Sequence, residues 1–142
     1  AHITGRQRPP RNFEYNSFPA TSGWHDPQWA IWNVYGEPVP QVHLIHNLEH
    51  GGIVVQYGSE IPEEAVNEIV DWYQESPNGI LIAPLPENRQ AAGLQDKIAV
   101  TAWRQLMTCS TFDEGTFSDF RDDYRYKGPE EGFEPEDLAP GT

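Results

Sequence analysis

Residues 43–52, HLIHNLEHGG, set His43, His46 and His50 beside Glu49 and close on two glycines. Imidazole nitrogens and a carboxylate are ligands for zinc, copper and non-haem iron. The same groups can form a hydrogen-bonded corner that locks a fold without any ligand. Spacing decides what is feasible. On a straight strand His46 and His50 share a face about 13 Å apart, at about 3.3 Å per residue, too far for one ion. On a helix the same pair sits side by side. His46-x-x-Glu49-His50 also fits the H-x-x-E-H pattern of inverted zinc peptidases, in which the glutamate activates water. That chemistry needs a long helix. Residues 42–45 and 53–57 read as strands, however, and Gly51-Gly52 supplies freedom to bend. The sequence therefore predicts a turn or bulged corner over residues 46–52, gathering His46, Glu49 and His50. A structural corner, a metal site and other chemistry all remain open for it.

Other chemistry is thinly represented. Cys109 is the only cysteine, which excludes an internal disulfide and every CxxC pattern. It has no basic neighbour in sequence to activate it as a nucleophile, and no glycine-rich phosphate loop is present. Met107 and Cys109 sit two apart, on one face if extended, and are candidate soft ligands as well as ordinary core residues.

Composition narrows the partners. Nine Lys and Arg against 22 Asp and Glu give a net charge of −13. That sign argues against nucleic acid and against an anionic membrane surface. The one basic cluster is Arg6, Arg8 and Arg11. No apolar run approaches the roughly 18 residues of a membrane span. A protein partner could dock through residues 1–40 or through the acidic C-terminal tail.

The elements that must position the histidines follow from periodicity. Residues 1–17 read as an arm. Residues 18–40, with Trp24, Trp29, Trp32 and Tyr35 among several prolines, read as an irregular aromatic wrap across the core. Pro62 opens a helix whose Ala65, Val66, Ile69, Val70 and Tyr73 share a face. The continuously apolar residues 80–83 read as a central strand. Residues 98–103 read as a further strand running on towards Met107. Thr111 and Glu114 match a capping box for a last helix, stopped by Gly128-Pro129. The result is one α+β domain over residues 18–129, with a small, mostly antiparallel sheet and two helices on one face. Residues 130–142 form an acidic tail.

Thr21-Ser22-Gly23-Trp24-His25, Pro38-Val39-Pro40 and His46-Asn47-Leu48-Glu49-His50-Gly51-Gly52 together resemble a bacterial family known as domain of unknown function 3105. Ala102-Trp103 and the stretch Tyr124-Arg125-x-Lys127-Gly128-Pro129-Glu130 are similar to it as well. The resemblance implies a domain outside the cytoplasm and no established activity. It singles out His25, His46, Asn47, Glu49 and His50. If the wrap crosses the corner, His25 joins His46 and His50 as a third metal ligand, with Asn47 and Glu49 orienting the set. Three histidines and a carboxylate suit copper, zinc or iron, and a sulfur from Met107 or Cys109 would favour copper. The expectation is thus an extracytoplasmic copper-binding domain. The alternatives are an accessory subunit of an extracellular or membrane-associated assembly and a small metal-dependent enzyme; the histidine set suits binding and catalysis alike.

Overall fold

The computed structural model describes residues 17–23, 26–130 and 132–142. In chain order they form helix α1 (Gln41–Glu49), strand β1 (Ile53–Tyr57), helix α2 (Glu63–Glu75), strands β2 (Ile80–Pro84), β3 (Ile98–Ala102) and β4 (Gln105–Cys109), and helix α3 (Glu114–Tyr124). The sheet order is β2-β1-β3-β4. β1 and β2 run parallel, Ile53 opposite Ile80, with α2 as the crossover that a parallel pair needs. β3 is antiparallel to β1 and to β4. The class is therefore α+β with a mostly antiparallel sheet.

Strand alternation divides the core in two. Ile53, Val55, Ile80, Ile82, Ile98 and Val100 face α2 and α3, meeting Ile69, Trp72, Phe117 and Phe120. Val54, Leu81 and Ala83 face the other way, onto Leu44 and Leu48 of α1, Trp32 and Val39 of the wrap, and Leu138 near the C-terminus. The wrap thus lies across the core, as its aromatic content predicts. The arm bearing Arg6, Arg8 and Arg11 lies outside the described residues.

Several expectations need correction. Residues 42–45 are the first turns of α1, not a strand. Leu44, Ile45 and Leu48 form its buried stripe, and that burial overrides the strand propensity of Val42 and Ile45. The glycine pair is no strand bend but a helix cap. Gly52 N donates to Asn47 O and Gly51 N to Leu48 O, with Gly51 at φ 93°, the pattern of a Schellman motif. β2 is not central but at the end of the sheet. Its outer side is covered by the wrap, where Val34 bridges Ile82 and Tyr35 N donates to Ile82 O. The strand beginning at Ile98 stops at Ala102 and turns back through Arg104, at φ 61°, into β4. Asp113, rather than Thr111, caps α3 by accepting from Thr116 N at 2.9 Å.

The end of α1 and the chain after α3 are held backbone to backbone. Tyr126 N donates to Gly51 O at 2.7 Å and Glu130 N to Glu49 O at 3.2 Å. No side chain fits between them. A Cβ on Gly128 would overlap Glu49 O and stand 2.5 Å from Gly51 N, and one on Gly51 would stand 2.8 Å from Tyr126 Cα. Arg125 fixes the start of this segment by donating to the carbonyls of Ser76 and Asn78 at the end of α2. The wrap is clamped to α1 by Asn47, whose fully buried amide accepts from Ala30 N and donates to Ala30 O, both at 2.8 Å.

Two consequences are measurable by urea unfolding. Gly128→Ala should cost about 2–3 kcal/mol through overpacking against rigid backbone. In hydrogen exchange it should deprotect the Tyr126 and Glu130 amides while the β1 and β3 amides keep their protection. Asn47→Ala should cost about 2–4 kcal/mol, because it removes both partners of the Ala30 peptide groups. Unchanged stability in either variant would contradict these contacts.

Candidate metal centre

Helix α1 delivers two imidazoles to one side. His46 lies in its last turn and His50 is its C-cap, one helical turn further on. Their ring centroids are 4.6 Å apart and the planes nearly perpendicular. Both are buried, at 4% and 5% exposure. The backbone contact described above then brings in Glu130. Its Oε2 stands 3.1 Å from His50 Nε2 and 3.9 Å from His46 Nε2. One ligand atom from each of the three residues lies within 4.8 Å of the others. Ligand atoms of a tetrahedral ion with bonds of about 2 Å stand about 3.3 Å apart, so a small closure would bring all three onto one ion.

The protonation pattern suits a cation. His46 Nδ1 is 2.8 Å from the backbone oxygen of Asp26. A carbonyl can only accept, so Nδ1 carries the proton, and in the neutral ring Nε2 presents its lone pair to the cluster. Asp26 is itself held by its N–H to Val42 O at 2.9 Å. Glu130 Oε2 is buried and, beyond its close approach to the two rings, makes no hydrogen bond among the described residues. A buried carboxylate oxygen without a hydrogen bond is costly, and a cation between it and the two nitrogens would satisfy it. The α1 C-terminus, with its partial negative charge, adds to the attraction.

Aromatic rings wall the cluster. Trp29 lies 5.6 Å from His46 and 5.0 Å from His50, centroid to centroid. Phe133 stacks on His50 at 4.0 Å. Trp29 remains 38% exposed, so its ring stands between the imidazoles and solvent. Trp29 Nε1 donates to Thr142 O at 3.1 Å, which ties this wall to the C-terminal segment.

The remaining candidates fall elsewhere. His25 lies outside the described residues; it directly precedes Asp26, whose carbonyl orients His46. Asn47 is spent on Ala30 and holds the wrap rather than a ligand. Glu49 contributes its backbone carbonyl to the Glu130 anchor. His43 binds Gln28 O through Nδ1 at 2.9 Å and so latches the wrap. Met107 and Cys109 pair with Val100 and Ile98 and pack with the α2–α3 cluster, so the sheet separates them from the histidines. Burial, and then the charge of Asp113, push the Cys109 thiol up, away from the thiolate a metal or a nucleophile requires. Glu130 is the ligand candidate that charge patterning hides, since it opens an acidic tail. The one signal for it is its place at the end of the Tyr124–Arg125–x–Lys127–Gly128–Pro129–Glu130 motif.

No curated protein and no solved structure matches the chain. A family model does, over residues 7–137, a span that holds the wrap, the histidine helix and Glu130. The chain belongs to the family described as "Protein of unknown function (DUF3105)".

Proposed function

We propose that this domain binds one divalent transition-metal ion through His46 Nε2, His50 Nε2 and the Glu130 carboxylate. The observation that carries the reading is the buried Glu130 Oε2, which faces both imidazoles without a hydrogen bond among the described residues. Two nitrogens and an oxygen are a donor set for Zn(II), Cu(II) and Fe(II). The argument for copper from soft sulfur has no support once Met107 and Cys109 lie across the sheet, and the nitrogen–oxygen set itself suits zinc, copper and iron alike. The Asp26 carbonyl would fix the His46 tautomer, and Trp29 and Phe133 would keep the ion from bulk water. His25 is the further ligand that the family motif suggests. The same resemblance supports a location outside the cytoplasm; none of the described helices is long and apolar enough to cross a membrane.

A second reading, a small hydrolytic zinc enzyme, is favoured by one observation. His46-x-x-Glu49-His50 does sit on a helix, and Glu130 completes a His2Glu set of the kind that catalytic zinc uses. Against it stands the length of α1, nine residues. In this reading Glu49 would accept a proton from the attacking water.

Elemental analysis of natively purified protein should find stoichiometric metal. The pair of substitutions His46→Ala and His50→Ala should abolish it, and Glu130→Gln, which removes a direct ligand, should weaken zinc binding at least as much as the about 10–100-fold loss typical of outer-shell partners, read by titration calorimetry. Chelation should lower the Tm, and added zinc should restore it. Metal-free protein whose Tm ignores both chelator and zinc would reduce the cluster to a clasp for the C-terminal segment. Glu49→Gln separates the two readings: a hydrolase should lose turnover on peptide or ester substrates while keeping its metal, whereas a binding domain should have no turnover to lose.

A further inference from the structure

The two ends of the sheet are treated differently. The outer side of β2 is closed by the wrap at Val34 and Tyr35. The outer side of β4 has no backbone partner among the described residues. Edge strands of this kind are ordinarily protected by charge, proline or a bulge. β4, Gln-Leu-Met-Thr-Cys, has no charged residue and no proline, although the chain as a whole is 22% charged. Leu106 is 41% exposed on it, one of the few large apolar side chains so open.

The ends of β4 carry opposite charge. Arg104 is exposed in the turn that precedes it; just beyond it Asp113 and Glu114 are exposed where α3 begins and outnumber Lys97, whose Nζ donates to Ser110 Oγ at 2.8 Å. An antiparallel strand with the same sequence presents these charges in reverse order. We infer that β4 pairs antiparallel with β4 of a second copy of this chain, about a two-fold axis near Met107. The pairing joins two four-stranded sheets into one of eight strands. Leu106 of each copy packs beside Thr108 of the other, and Arg104 of each copy meets the Asp113 and Glu114 end of the other. The central stretch, being uncharged, lets two chains of net charge −13 approach where their repulsion is least. An unrelated extended peptide would find the backbone groups but not this reciprocal charge arrangement.

Analytical ultracentrifugation of the full chain tests the inference. At concentrations on the order of 100 µM the wild type should be a dimer, as even a micromolar Kd requires. Leu106→Lys should be a monomer. Arg104→Glu should weaken dimerisation about tenfold or more through like charges, and Arg104→Glu with Glu114→Arg should recover most of that loss. All these positions are exposed, and circular dichroism checks that the variants keep the fold. In hydrogen exchange the amides of residues 105–109 should be protected in the wild type and exposed in Leu106→Lys. A monomeric wild type would overturn the inference, even if it bound an extended peptide of another protein. So would a dimer that survives Leu106→Lys with residues 105–109 exchanging freely.

Discussion

Backbone meets backbone where α1 ends, and the rest of the site depends on it. Gly51, Gly52 and Gly128 stand where a Cβ would strike Tyr126, Trp32 or Glu49, so the segment after α3 can lie directly on the helix terminus. Two hydrogen bonds, Tyr126 N to Gly51 O and Glu130 N to Glu49 O, then fix its height along the helix. That height brings Glu130 to the two imidazoles. A residue with a side chain at 128 would lift the segment and carry the carboxylate out of reach.

The same junction sets the electrostatics. Capping by Gly51 ends α1 at His50, so both imidazoles sit at the negative end of the helix. The Asp26 carbonyl takes the Nδ1 proton of His46, and Glu130 adds a buried carboxylate oxygen. Among the described residues, acceptors and lone pairs therefore converge there without a lysine or arginine. Trp29 and Phe133 pack against the imidazoles, and the burial of both histidines strengthens any charge interaction there. This is the donor set that the proposed divalent ion would use.

Much of the architecture is legible in the sequence. The β-branched run at Ile53–Tyr57, the stripe of α2 and the apolar Ile80–Ile82 stretch identify elements because their burial pattern is periodic and local. α1 is not legible in the same way. Val42, Leu44 and Ile45 read as a strand, and only the tertiary stripe of Leu44, Ile45 and Leu48 on β1 and the wrap makes them helical. The glycine pair signals a break truly, yet a Schellman cap and a strand bend use the same residues. His46 and His50 are recognisable from type and spacing, although the spacing serves a metal only once the helix is known. Glu130 is hidden because its reach to the histidines depends on a contact between distant parts of the chain, made possible by Gly128. Met107 and Cys109 mislead because a shared strand face does not say which side of the sheet it is on.

X-ray absorption spectroscopy at the metal edge of the zinc- or copper-loaded protein tests the central claim most directly. The account predicts a first shell of nitrogen and oxygen at about 2.0–2.1 Å with the outer-shell scattering of at least two imidazoles, lost when His46 and His50 are replaced by alanine. A sulfur shell near about 2.3 Å, or a spectrum unchanged by those replacements, would contradict it.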